Sequence, residues 1–155
     1  MLAYGIKPQE NIGVFSQNAV QYIYTDFGAF GIRAVSIPFY ATSSEQKLQF
    51  IIDDAQIRII FVGEQEQYDK ARRVQALCHT LERIIIYDKA VCVAEHDVTS
   101  VFFDDFIKDV EVTEELEAQL AKMHESLNST DIANILYTSG TTGESKGVIL
   151  TCGQY

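Results

Sequence analysis

Apolar, β-branched runs recur at Ile12–Phe15, Val35–Phe39, Ile59–Val62 and Ile84–Tyr87, their starts 23 to 25 residues apart. That interval is the span of one strand–helix unit. Helical periodicities fill the gaps. Val20, Ile23, Tyr24, Phe27 and Phe30 share one face, which reads as core, and Asn18 or Ser16 is placed to cap that helix. Leu48, Ile51, Ile52 and Ala55 share a second face, behind a Thr42/Glu45 pair with the spacing of a capping box. Tyr68, Ala71, Val74, Leu77 and Leu81 form a third. Repeated units of this kind predict an α/β fold, a mostly parallel sheet with helices on both faces. The unbroken run Ile84-Ile85-Ile86 suits a strand buried on both sides. Ligands of such sheets bind beyond the carboxyl ends of the strands.

The middle of the chain is less regular. Ala90 to Thr99 reads as a loop, and Val101-Phe102-Phe103 with Asp104-Asp105-Phe106 as a short strand or turn and then a helical turn, the Asp104-Asp105 pair being solvated. Leu116, Leu120, Met123 and Leu127 mark another amphipathic helix. Thr113 starts it, and Glu114, Glu115 and Glu117 suit the positive end of its dipole. With no repeat, low-complexity segment or linker, residues 1–155 read as a single domain. Leu2-Ala3-Tyr4 looks like a last helical turn capped by Gly5, and the chain stops at Gly153-Gln154-Tyr155 where a new element should begin. Both ends therefore predict a piece of a longer protein, and apolar surface left uncovered predicts self-association.

Two further apolar runs, Ile132–Tyr137 and Val148–Thr151, bracket the stretch Tyr137-Thr138-Ser139-Gly140-Thr141-Thr142-Gly143-Glu144-Ser145-Lys146-Gly147-Val148. Its glycines let backbone approach a ligand closely, and successive exposed N–H groups form a nest for anions. Hydroxyls add donors, and Lys146 adds a full positive charge; it is the only Lys or Arg from 123 to 155. A Walker A loop has its lysine directly after glycine and opens a helix. Here Lys146 comes three residues after Gly143, and a β-type run follows. The phosphates would lie in a loop between two strands. A plain Ser/Thr/Gly connector has the same composition, so composition alone does not decide the matter.

The stretch resembles, almost letter for letter, the phosphate-binding signature Y-T-S-G-T-T-G-x-P-K-G-V of the adenylate-forming enzymes, the acyl-CoA synthetase and adenylation-domain superfamily. Gly5-Ile6-Lys7-Pro8, Ile12 to Asn18, Gly31 to Ser44 and Thr130-Asp131-Ile132-Ala133 resemble the N-terminal domain of long-chain fatty acid–CoA ligases. The resemblance implies an acid–CoA ligase using ATP, Mg²⁺ and coenzyme A, with a fatty acid as substrate. It also implies that residues 1–155 are a partial AMP-binding domain, truncated at both ends, with its phosphate loop at 137–148. On this reading Thr138, Ser139, Gly140, Thr141, Thr142, Gly143, Lys146 and Gly147 hold the nucleotide. Lys146 neutralises the β- and γ-phosphates and Thr138 lies beside the metal. No catalytic residue is placed in this chain, so the isolated chain is expected to be inactive and to need the remainder of its polypeptide. Two positions depart from the pattern. Ser145 stands where the family usually has Pro, and Cys152 where many members have His. A peptide-synthetase adenylation domain, a non-enzymatic nucleotide- or partner-binding module and a nucleotide-independent structural domain remain open alternatives.

A net charge of −10 argues against nucleic acid or an anionic membrane surface as partner. No run approaches the length of a transmembrane segment, and no signal peptide is legible. Cys78, Cys92 and Cys152 fit no zinc or disulfide spacing, which points to a reducing cytoplasm, with peripheral membrane attachment left open. His79, His96 and His124 have no carboxylate or cysteine at ligand spacing.

Overall fold

The computed structural model describes residues 1–139 and 145–155. A one-turn 3₁₀ helix at Leu2–Tyr4 ends at Gly5, whose φ of 77° is the left-handed cap conformation. Then come β1 (Asn11–Phe15), α1 (Val20–Gly31), β2 (Val35–Phe39), α2 (Glu45–Asp54), β3 (Ile59–Val62), α3 (Gln65–Gln75) and β4 (Arg83–Ile86). They are followed by β5 (Ser100–Phe102), α4 (Phe103–Lys108), α5 (Glu114–Glu125), β6 (Ile132–Ser139) and β7 (Ser145–Thr151). Among the described residues the sheet has seven strands in the order β5-β4-β3-β1-β2-β6-β7. All neighbours are parallel except β7, which runs antiparallel to β6.

Side chains alternate across the sheet and build two cores. Phe15, Ile37, Ile60, Val62, Ile84 and Ile86 point to one face, covered by Leu48, Ile51 and Ile52 of α2 and by Tyr68, Ala71 and Val74 of α3. Ile12, Val14, Ile59, Phe61 and Ile85 point to the other, covered by Ala29 of α1, Phe103 and Phe106 of α4 and Met123 of α5. Burial on both sides is why the central strands read as continuous apolar runs. Among the described residues no helix is long and apolar enough to cross a membrane.

Several expectations are corrected. In α1 the buried residues are Thr25 and Ala29, while Val20, Ile23, Tyr24 and Phe27 are exposed. The helix turns a small, polar face to the sheet because hydrogen bonds pass there: Tyr87 donates to Thr25 (2.7 Å) and Ser36 to Asp26 (2.7 Å). Its N-cap is Ala19, without a side-chain bond; Ser16 donates instead to the Gln17 carbonyl. The α2 cap is Ser44, whose Oγ accepts from the Lys47 N–H (3.3 Å); the helix starts too late for Thr42 to serve. Leu77 lies past the end of α3 and is exposed, and Leu127 lies past the end of α5 and is exposed too. The short strand and helical turn expected over Val101–Phe106 are present as β5 and α4, with Asp104 and Asp105 in the first turn of α4 and Asp104 paired to Lys89. The Thr113 cap of α5 is as expected, accepting from Leu116 (3.3 Å).

Candidate polyphosphate-binding hairpin

β6 and β7 place Thr138, Ser139, Ser145 and Lys146 at the carboxyl edge of the sheet, where ligands of parallel sheets bind. Ser139 pairs with Ser145, Thr138 with Lys146, Tyr137 with Gly147 and Leu136 with Val148. Both strands run further toward the loop than the apolar runs predict, because the polar residues Thr138, Ser139, Ser145 and Lys146 also join the ladder. Directly paired residues of an antiparallel ladder share a face. Thr138 and Lys146 are therefore neighbours, both exposed, with the hydroxyl and the ammonium on the same side. Gly140, Thr141, Thr142 and Gly143 of the expected site lie outside the described residues, and Ser139 is described only through its backbone. Ser145, in place of proline, pairs with Ser139 as the first residue of β7.

On the opposite face Tyr137 of β6 joins the core and Ile135 packs against it. Tyr137 is 7 % exposed and its hydroxyl donates to Asp54 Oδ2 at 2.5 Å. Burial, with the Asp54 carboxylate beside it, pushes the phenol well above its ordinary range, so it remains a donor. Its ring lies across Gly147: a Cβ built there would sit 2.8 Å from Ile135 Cγ2 and 3.4 Å from Tyr137 Cζ. Gly147 is thus demanded by the packing of β6 against β7, independently of any phosphate.

The foot of β6 is held by Arg33 and Gln9, to which the sequence patterns assign no role. Arg33 grips Asp131 with both arms of its guanidinium (Nε–Oδ2 2.7 Å, Nη2–Oδ1 2.9 Å), and its hydrogen bond holds that carboxyl below the usual range. The Gln9 side chain accepts from Ile132 N–H (2.8 Å) and donates to Ile132 C=O (3.3 Å). Gln9 and Arg33 both have left-handed backbones (φ 62° and 58°), and the Gln9 N–H donates to Arg33 C=O. Left-handed backbone at residues other than glycine is the one sign of such an anchor, and no sequence pattern carries it.

Two concavities adjoin the hairpin. A small one, about 210 Å³, lies between the ends of β2 and β6, bounded by Pro38, Tyr40, Leu136 and Thr138. A larger groove, about 640 Å³, runs between α1 and β6, lined by Phe27, Phe30, Leu136, Asn134, Cys152 and Tyr155. Leu136 shares its sheet face with Thr138, so the groove and the polar pair lie on the same side of the hairpin. Among the described residues no group of His, Cys, Asp or Glu is arranged to hold a metal ion.

The seven-stranded α/β fold with its terminal hairpin is that of the N-terminal domain of adenylate-forming ligases. An anthranilate CoA ligase, AuaEII, superimposes with a TM-score of 0.76 at 19% identity, over 97% of this chain and 26% of that one. A long-chain-fatty-acid-CoA ligase, FadD1, from Archaeoglobus fulgidus gives 0.66 at 23% identity, over 97% and 27%. The model of the AMP-binding enzyme family matches residues 1–155, and the chain belongs to that family. Its relatives include the long-chain-fatty-acid–CoA ligase ACSBG2 of Homo sapiens, 28% identical over 153 residues, which are 97% of this chain and 22% of that protein. Fatty acyl-CoA synthetase B of Dictyostelium discoideum is 28% identical over 152 residues, 95% of this chain and 22% of that protein. The chain thus spans about a fifth of the length of the curated relatives it matches.

Proposed function

We propose that the β6–β7 hairpin holds the polyphosphate of ATP in an acid–CoA ligase, and that residues 1–155 are a single partial AMP-binding domain of it, truncated at both ends. The observation that carries this reading is the pairing of Thr138 with Lys146 on one exposed face, inside the signature of the family. In the reaction an oxygen of the substrate carboxylate attacks the α-phosphorus and the bond to the β-phosphate bridge breaks, so that pyrophosphate leaves. The thiol of coenzyme A then attacks the acyl carbon, and AMP leaves. Lys146 neutralises charge gathering on the departing pyrophosphate, and Thr138 Oγ1 donates to a phosphate oxygen. Ser139, Gly140, Thr141, Thr142 and Gly143 complete the proposed nucleotide-binding set, and Gly147 lets β7 pack closely against β6.

The Thr138 hydroxyl would take one place around a magnesium ion that keeps most of its water and binds the phosphates. When bound, the ion would screen the phosphates from one another. The named relatives and the apolar groove on the same side as Thr138 favour a fatty acid as the acid. The isolated chain is proposed to bind nucleotide without completing the reaction.

Thermal unfolding and calorimetry of the chain with Mg·ATP test this. ATP is expected to raise the melting temperature by mass action, about 2.7 kcal/mol of stabilisation at a hundred times the Kd. Lys146→Ala should lose most of that shift. A wild-type chain that does not respond to ATP, or a response unaltered in Lys146→Ala, overturns the reading.

A further inference from the structure

Three elements meet at Tyr137. It belongs to β6, its ring crosses Gly147 of β7, and its hydroxyl reaches Asp54 at the last position of α2. Asp54 is a poor choice for that position on local grounds. A carboxylate at a helix C-terminus faces the negative end of the dipole, Asp53 precedes it, and the last turn of α2 has no basic residue. Asp54 is also exposed to solvent, so it does not serve the packing of its own helix. Its hydrogen bond to Tyr137 spans 83 residues.

We propose that Asp54 is a positioning residue for the polyphosphate hairpin, acting through Tyr137; the inference rests on the function proposed above. Thr138 follows Tyr137 along β6, and Lys146 precedes Gly147 along β7. Because side chains alternate, a ring held inward at Tyr137 turns Thr138 and Lys146 outward, and a slip of one residue would reverse all of them. Apolar packing holds the ring against sliding across the core only weakly, since burial is not directional. The hydrogen bond from the phenol to a carboxylate is directional and fixes how far Tyr137 reaches. The partner is an acid on a separate helix, so the register of the hairpin is tied to the body of the sheet at a point away from the phosphates.

The test compares the wild-type chain with Tyr137→Phe, Asp54→Ala, Asp54→Asn and the Tyr137→Phe/Asp54→Ala pair. Deuterium uptake is read over the peptide spanning 138–147, together with ATP affinity by calorimetry. Tyr137→Phe and Asp54→Ala should each speed exchange in that peptide and weaken ATP binding by about tenfold, the worth of one hydrogen bond to a charged group. The double variant should be no worse than either single one. Asp54→Asn, which keeps an acceptor in place, should restore most of both signals. Exchange that stays at the wild-type rate in Tyr137→Phe, exchange that rises equally across the whole chain, or additive effects in the double variant would each overturn the proposal. If the wild-type chain binds no ATP, the nucleotide reading falls, while the exchange data still decide the role of Asp54.

Discussion

Gly147→Ala puts the packing behind the hairpin to a sharp test. The new methyl would sit 2.8 Å from Ile135 Cγ2 and 3.4 Å from Tyr137 Cζ. Carbon atoms prefer about 3.5–4.0 Å, so the first contact must open by about 0.7 Å or more. Ile135 has little freedom to yield, because its branch at Cβ restricts χ1, and Tyr137 is held at its far end by Asp54. Overpacking of this kind costs about 1–3 kcal/mol. Alanine recovers about 0.5–1 kcal/mol over glycine in a strand through the unfolded chain. The net loss is then on the order of 1–2 kcal/mol, a fall in Tm of about 2–8 °C for a chain of this size. Thermal melts and urea titrations with unchanged slope would report it. Ile135→Leu moves the branch from Cβ to Cγ and takes away the clashing methyl. The double variant should therefore regain at least half of the loss, a coupling of about 0.5 kcal/mol or more. A Gly147→Ala chain as stable as the wild type, or losses that simply add in the double variant, would refute the account of Gly147 as a packing glycine.

Three further outcomes follow from the polar interior and the anchors. The Asp97 side chain is wholly buried; it pairs with Arg72 (Nε–Oδ2 3.1 Å) and accepts from Tyr68 (2.8 Å), Thr99 and Ser100. Burial works against its charge, yet the hydrogen bonds led by Ser100 prevail and bring its pKa to about 2 from 3.8. The folded state thus holds the carboxylate where the unfolded chain takes a proton. This contribution is full above pH 4 and is lost as pH falls from 4 toward 2. Asp97→Ala should cost about 3 kcal/mol by urea titration at neutral pH and flatten that acid limb. At the alkaline end, burial and then Asp53 push the Cys78 thiol up to about 12 from 9.0, and burial and then Asp26 push the Tyr22 phenol up to about 12 from 10.0. Both favour the folded state fully below pH 9, and their contribution disappears as pH rises from 9 to 12; Cys78→Ser should remove the thiol's share of that loss. Arg33→Ala and Arg33→Gly both break the pair with Asp131, but only glycine relieves the left-handed backbone at φ 58°. The glycine variant should be the more stable by about 1 kcal/mol in the urea midpoint.

Features that depend on near neighbours are legible in the chain before it folds. The strand–helix rhythm is legible because strands buried on both faces are continuous apolar runs, and Ile84-Ile85-Ile86 is buried throughout. The hairpin is legible because its glycines, hydroxyls and single lysine occupy one short stretch between two strands. The cap at Thr113 is legible because it acts three residues away, on Leu116. The structure alone decided which face of α1 turns inward. Periodicity shows that a stripe exists, and only the partners Tyr87 and Ser36 on the sheet choose Thr25 and Asp26 over Ile23 and Phe27. The tertiary fold alone likewise joined Tyr137 to Asp54, Asp131 to Arg33 and Ile132 to Gln9, across 83, 98 and 123 residues. Pairs of that separation leave no local period or spacing. Each is a polar contact whose energy appears only when the sheet brings its two ends within hydrogen-bonding distance, and that is why the support behind the hairpin could not be read from the chain that forms it.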